Sequence, residues 1–294
     1  MSDLVTVTAD LVASLCPERD ESGHKGTFGT VLICAGSKFM TGAQTLATES
    51  SLRSGAGMVR VFADEDSMVS TRVNCPCAMY SPYEEGVEDT LRTAVKLLER
   101  SSCVLIGPGL DPDDKRNIAL LILFIKRADH LVIDASALNI LAGNSEELLP
   151  LLKSRTADGH APAVLTPHVG EFIRLNGESG QDQCISFASK SDCVVVLKDH
   201  NTFISSKGDK SYIFEGNNSG MSKGGSGDVL AGLLAGLIAQ GMNEEEAAVS
   251  AVYIHSAAGR NAAEDLGKRS MLPSDIPSYF TDAFEEVMWE AKGE

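Results

Sequence analysis

Residues 103–134 read CVLIGPGLDPDDKRNIALLILFIKRADHLVID. Two short apolar runs, 103–106 and 131–134, flank a segment, 115–127, whose apolar residues recur at helical spacing. Strands that are hydrophobic throughout suit a parallel sheet buried on both faces. A strand, a helix and a second strand in that order form a right-handed crossover unit. The unit repeats on both sides. Further strands are expected at 30–35 (TVLICA), 58–62 (MVRVF), 163–166 (AVLT) and 194–197 (VVVL), with helices over 42–54, 86–100, 145–153 and 181–190. The pattern predicts a three-layer α/β/α fold around a central, mostly parallel sheet.

Beyond residue 200 the pattern changes. Segments 201–205 (NTFIS) and 210–214 (KSYIF), separated by 206–209, predict an antiparallel hairpin at one edge of the sheet. Helices are expected over 225–240, 244–263 and 274–291. No linker, repeat or composition break divides the chain, so one domain over 1–294 is expected, with the segment 1–24 and the helix 274–291 packing onto it.

Charge narrows the range of partners. Lys and Arg number 25 against 41 Asp and Glu, a formal net charge of −16. That balance argues against nucleic acid or an anionic membrane, which both need a positive surface. An anionic ligand would have to be held by local chemistry. The seven cysteines lie mostly in apolar runs without disulfide-framework or zinc-ribbon spacing, which reads as buried thiols in a reducing compartment. The acidic N-terminus does not resemble a signal peptide. The longest uncharged apolar stretches, 118–125 and 229–239, fall short of the roughly 20 residues that span a bilayer. A cytoplasmic protein is expected.

Ligands of open α/β sheets bind beyond the carboxyl ends of the strands. Those ends carry Gly36-Ser37, Gly107-Pro108-Gly109, Asp134, Pro167-His168 with Glu171, and Lys198. Five such loops in succession point to one shared cleft. The most informative segment is 216–232, GNNSGMSKGGSGDVLAG. Its glycines let successive N–H groups face a ligand, and the helix that follows adds a partial positive charge, so the loop can cradle an anion. Asp228 at the end of that cradle repels a bound anion, and a role as base towards an attacking hydroxyl would explain its presence. The plainer alternative is a helix cap beside a tight turn.

Other positions have equally plain readings. His168 can cap the next helix or bond Glu171, and Lys198 can be a snorkelling strand-end lysine. His255 reads as a satisfied packing residue in a helix, and Asp111, Asp113 and Asp114 as a solvated turn, with metal binding as the alternative.

Taken together, the motifs go further. GTFGTVLICAGS (26–37), MTGA (40–43), LRSGAG (52–57), GPGL (107–110), VIDA (132–135), LTPHVGE (165–171) and the 224–232 loop closely resemble the ADP/ATP-dependent NAD(P)H-hydrate dehydratases, in the same order and over about residues 25–276. The resemblance implies the ribokinase-like fold and repair of damaged cofactor. NADH or NADPH that has taken up water across C5–C6 of the nicotinamide ring carries a hydroxyl at C6. Hydroxide leaves poorly, and the family phosphorylates that hydroxyl from ADP or ATP so that the ring nitrogen can expel phosphate.

Carried over residue by residue, the resemblance makes Asp228 the base for the C6 hydroxyl and gives the amides of Gly225, Ser226 and Gly227 to the transferring phosphoryl group. Ala43, Gly109 and His168, with Asp228, match contacts to the hydrated dinucleotide. Lys198, Asp199, His200, Asn201, Thr202 and Gly227 match contacts to the adenine nucleotide. Mg²⁺ is implied by the phosphoryl chemistry, with no ligand cluster to hold it. The resemblance also implies a homo-oligomer, expected as a tetramer, and a separate epimerase as functional partner. A short chain without a targeting segment leans towards the bacterial members and hence towards ADP. Two departures stand out: the family usually has Lys-Gly at Lys198-Asp199 and often Asp-Ala-Asp at 134–136, where this chain has Ser136.

Two other readings compete. A small-molecule kinase of the same fold, such as a vitamin-precursor kinase, would use the same cradle and acid, but residues 42–43 and 165–171 match the dehydratases. A nucleotide-sensing module would bind ADP or ATP without turnover.

Overall fold

The computed structural model describes residues 3–290 apart from 18, 209 and 217. Residue 291, the last of the helix expected at 274–291, and residues 1, 2 and 18 of the expected N-terminal segment therefore lie outside the described residues, as do residue 209 of the expected hairpin loop and residue 217 of the segment 216–232. In chain order, β1 (Asp3–Thr6) and α1 (Ala9–Ala13) precede β2 (Thr30–Cys34), α2 (Thr41–Arg53), β3 (Met58–Ala63), α3 (Val69–Asn74) and β4 (Met79–Pro82). Next come α4 (Val87–Leu98), β5 (Cys103–Ile106), α5 (Lys115–Arg127), β6 (Leu131–Ile133), α6 (Ser136–Gly143) and α7 (Ser145–Ser154). The rest comprises β7 (Val164–Leu165), α8 (Val169–Asn176), α9 (Gln181–Ser191), β8 (Val194–Leu197), β9 (Asn201–Ser205), β10 (Lys210–Glu215), α10 (Ser226–Ala239), α11 (Glu244–Leu266) and α12 (Phe280–Glu286).

All ten strands join one sheet in the order β1-β10-β9-β8-β7-β6-β5-β2-β3-β4. Among the described residues the antiparallel pairings are β8–β9 and β9–β10, the latter being the predicted hairpin. The rim strand on that side is β1, which pairs parallel with β10. The alternating side chains of each strand feed two cores. Val31 and Ile33 of β2 pack with α2, α10 and α11. Leu32 and Cys34 of the same strand pack with residues of α4 to α9. This is the expected three-layer arrangement: a period of two in a strand buried on both faces supplies both interiors at once.

The helix expected over 274–291 is a correction. A 3₁₀ turn spans Ile276–Tyr279 and α12 follows only over Phe280–Glu286. Pro277 has no N–H to give to a preceding turn, so the segment opens at the proline as a short 3₁₀ turn. At the other end Met288 has a φ of +58°. Trp289 then folds back, stacking on Phe284 and donating Nε1–H to the Val12 carbonyl at 3.0 Å.

Two sets of side-chain to backbone hydrogen bonds brace the layers, one between α2 and α10 and one at the end of α5. Helix α10 is buried along nearly its whole length, and α2 is bonded to it by the Ser50 and Ser51 hydroxyls, which donate to the carbonyls of Val229 (2.6 Å) and Gly232 (2.7 Å). Arg155, buried and unpaired with any acid among the described residues, donates to the carbonyls of Ile125 (2.7 Å) and Ala128 (2.8 Å), satisfying groups that the end of α5 leaves open.

Candidate active site

The chain leaves β2 towards β3 on one side and returns to pair β5 on the other, so the sheet order reverses between β2 and β5. The loops after these two strands meet there, with Gly36 N–H donating to the Pro108 carbonyl at 2.7 Å. Gly107, at φ +131°, lies so close to the end of β6 that a Cβ would sit 1.7 Å from the Asp134 carbonyl oxygen. Gly109 needs its freedom for a similar reason: its φ is +66° and an added Cβ would stand 2.8 Å from the Cβ of Ala43. The sequence-predicted pair Ala43 and Gly109 is thus brought into contact.

Asp134 ends β6 and is 1% exposed. Its Oδ1 accepts from the Thr166 hydroxyl at 2.7 Å and from the Lys198 ammonium at 2.9 Å. Lys198 ends β8 and is bridged in parallel register to His168 beyond β7. It does not merely snorkel to solvent. A Cβ placed on Gly227 would lie 3.1 Å from its Nζ, so the ammonium sits over the glycine cradle.

His168 fulfils both roles that its sequence neighbours allow. Its Nδ1 accepts from the N–H groups of Gly170 (2.9 Å) and Glu171 (3.3 Å), while its own N–H donates to Glu171 Oε2 at 2.9 Å, a reciprocal capping box at the start of α8. Because Nδ1 accepts from backbone donors, the neutral ring carries its proton on Nε2. The half-exposed edge of the imidazole then carries the Nε2–H, with Nε2 3.5 Å from Glu171 Oε1.

The cradle opens α10. Gly225 caps the helix at φ +109°, without a side-chain hydrogen bond. The Ser226 hydroxyl is turned onto the Met221 carbonyl (2.7 Å), and its N–H makes a long contact of 3.3 Å to the Lys223 carbonyl. Asp228 follows in the first turn and does not act as the helix cap. Burial pushes its carboxyl up to about 7, the Asp134 carboxylate adds to the rise, Lys198 opposes it and Glu171 contributes a further rise. A carboxylic acid near neutrality is suited to take a proton.

A cavity of about 860 Å³ opens beside the cradle. Lys198, Asp199, His200 and Thr202 line it from the β8–β9 end, as do Ser226, Gly227 and His168. Ala43, Gly109, Asn201, Gly225 and Asp228 lie outside its wall; Asn201 stands in β9 opposite Glu215. Asp199 turns its carboxylate onto the His200 N–H at 2.7 Å. His255 corrects the reading as a satisfied packing residue. It is 8% exposed and borders the cavity; its Nε2 makes no hydrogen bond of good geometry among the described residues, although the Ser226 backbone acts on the ring. Burial and the nearby Lys198 push it down to about 4, so the ring is neutral at physiological pH.

The acidic turn proves structural. Asp114 caps α5 through the Arg116 N–H at 2.8 Å and pairs with its guanidinium at 2.6 Å. Among the described residues no three His, Cys, Asp or Glu side chains gather as metal ligands. Asp134 is already engaged by Thr166 and Lys198; Mg²⁺ in phosphoryl chemistry typically needs only one or two carboxylates besides the phosphates themselves. Of the seven free cysteines, five are buried as expected, whereas Cys16 and Cys77 are exposed. No helix among the described residues is long and apolar enough to cross a membrane.

The roles of Asp134, Thr166 and Glu171 were not legible as such. Asp134 showed only as an acid ending an apolar run, and its partners lie 32 and 64 positions away.

Comparison with known proteins agrees with this geometry. A family model described as NAD(P)H-hydrate dehydratase matches residues 31–282. The bifunctional NAD(P)H-hydrate repair enzyme Nnr of Moorella thermoacetica is 36% identical over 282 residues, 92% of this chain and 52% of its own length. This chain thus spans about half the length of the bifunctional relatives it matches. The ADP-dependent (S)-NAD(P)H-hydrate dehydratase of Staphylococcus aureus is 32% identical over 256 residues, covering 85% of this chain and 87% of the relative. Among solved structures, the ADP/ATP-dependent NAD(P)H-hydrate dehydratase of Bacillus subtilis, co-crystallised with ATP/Mg²⁺, superposes with a TM-score of 0.82 at 27% identity, over 97% of this chain and 99% of that one.

Proposed function

The chain belongs to the NAD(P)H-hydrate dehydratase family, and from that premise we propose that it restores hydrated NADH and NADPH at the expense of a nucleotide, ADP before ATP. The choice of ADP follows the stand-alone relative from S. aureus. The observation that carries the reading is the carboxyl of Asp228, poised at about 7 at the end of the cradle and flanked by Lys198.

Asp228 takes the proton of the C6 hydroxyl as that oxygen attacks the terminal phosphorus of the donor. One P–O bond forms to the C6 oxygen, and the bond to the bridging oxygen breaks, its electron pair leaving with AMP or ADP. The N-terminal amides of α10 and the Lys198 ammonium face the charge on the transferring group, the kind of prepared electrostatic support that is usually the largest catalytic contribution. The ring-nitrogen lone pair then expels phosphate from C6, and loss of a C5 proton restores the dihydropyridine. Ala43, Gly109 and the Nε2–H of His168 are assigned to the dinucleotide, and the residues from Lys198 to Thr202 with Gly227 to the nucleotide. The reading also makes the chain a single dehydratase domain that assembles as a homotetramer.

The test offers purified protein the S epimer of hydrated NADH with ADP or ATP. Expected are recovery of the near-ultraviolet absorbance of reduced nicotinamide and release of AMP or ADP with phosphate. Phosphate transfer to an alcohol without recovery of that absorbance would replace this reading with the kinase alternative.

A further inference from the structure

The Lys198 ammonium is paired with Asp134, and Asp134, Lys198 and Glu171 all act on the Asp228 carboxyl. The Lys198–Asp134 pair is well enclosed, the two side chains being 21% and 2% exposed. Lys198 and Thr166 converge on the same carboxylate oxygen, so Oδ1 of Asp134 is held from two directions. The backbone is held as well. Ala135 has φ +49° and ψ −120°, a conformation costly for a residue with a Cβ, and Gly107 packs against the Asp134 carbonyl. Strain of this kind persists only where the surroundings over-determine the geometry.

We propose that Asp134 and Thr166 are positioning residues: the carboxylate, fixed by the threonine hydroxyl, moors the Lys198 ammonium over the Gly225–Gly227 cradle. A lysine is a flexible point charge on four methylenes, and without a mooring it loses much of its value as a fixed electrostatic partner. Asp134 supplies that mooring from the side of the sheet, leaving the ammonium's remaining protons for the phosphoryl group. The charged groups that face Asp228 are Asp134 beyond β6, Lys198 beyond β8 and Glu171 on α8. His255 on α11 feels Lys198 and is neutral, so it adds no charge.

The two members of the pair act on Asp228 with opposite sign, which a merely structural role would not produce. Asp134→Asn removes a neighbouring negative charge and frees Lys198. The Asp228 carboxyl then titrates at lower pH, while kcat falls about tenfold to a hundredfold as the ammonium loses its fixed place. Lys198→Met moves the titration to higher pH and lowers kcat by about a hundredfold or more. Thr166→Val keeps every charge and removes one hold on Asp134. It lowers kcat with KM for the hydrate little changed, and stands in if Asp134→Asn does not fold.

This inference rests on the proposed dehydratase reading, so the experiment has two arms. The first follows the pH dependence of kcat for wild type and the three variants. The second follows the Asp228 carboxyl directly by ¹³C NMR in protein labelled at aspartate, with Asp228→Asn to assign the signal; it needs no turnover. Opposite displacements for Asp134→Asn and Lys198→Met support the inference. Displacements of the same sign, no displacement, or full kcat in Lys198→Met would overturn it. A wild-type protein that never restores reduced nicotinamide overturns the dehydratase reading alone, while the NMR arm still decides the charge coupling.

Discussion

Gly232 on α10 lies directly against the Ala47 carbonyl on α2: a Cβ at this glycine would come within 2.3 Å of the oxygen. The approach is close because the Ser51 hydroxyl donates to the Gly232 carbonyl across the same contact. It fixes the helix that carries Asp228 against the helix that carries Ala43, and so sets the base relative to the proposed dinucleotide contact. Gly232→Ala forces the helices apart in a core with no slack, and destabilisation by about 1–3 kcal/mol is expected. Thermal unfolding checks it, and an unchanged midpoint would mean that the helices separate freely.

Asp228→Asn is expected to abolish repair and leave nucleotide binding nearly intact, as measured by turnover and calorimetric titration. A wild-type rate that rises through about pH 7 and levels above it is the companion result, since the base must be ionised. The sign for stability is the reverse. A carboxyl raised from its ordinary 3.8 to about 7 binds more proton folded than unfolded across that window, so the folded state loses stability as pH rises through it. Asparagine removes the loss: the variant should melt higher than wild type at pH 8 and show little difference at pH 4. Equal melting points at pH 8 would argue against the buried charge.

His168 offers a way to separate capping from recognition. Asparagine is itself a good N-cap, so His168→Asn should keep the start of α8 while deleting the Nε2–H donor. KM for the hydrate is expected to rise with the melting temperature nearly unchanged. His168→Ala should raise KM and also lose about 1 kcal/mol of stability. Indistinguishable KM values for wild type and His168→Asn would remove the imidazole from the substrate contacts.

Ala135→Gly relieves a backbone conformation that strains any L residue, offset by the greater freedom glycine has when unfolded. A net gain of about 1 kcal/mol in urea unfolding is expected, with a lower kcat because Asp134 is held less firmly. A gain in both stability and rate would show that the strain plays no part in the site.

The layers of the fold were readable because strands buried on both faces leave apolar runs that nothing else explains, as at 103–106 and 194–197. The eight-residue helix α6 escaped notice, and α8 showed only as the helix that His168 can cap: each begins within a few residues of a strand end, and its apolar positions merge with that strand's run. Strand β1 escaped because its residues are mostly exposed. Within the site, the Gly225–Asp228 cradle is contiguous and could be seen. The Asp134–Thr166–Lys198 cluster joins three strand ends that only the sheet order brings together. His255 lies in a mostly small and apolar helical stretch whether or not its ring is satisfied, so sequence alone could not tell the two states apart.

The hydrogen-bonding edge of β10 would lie bare were it not for the four residues of β1 that run beside it. An uncovered edge is a template on which a second polypeptide can grow as an extra strand. Residues 3–6 therefore move the open edge on that side from the six residues of β10 to a strand of four, and a molecule shorn of them would offer the longer template to its neighbours.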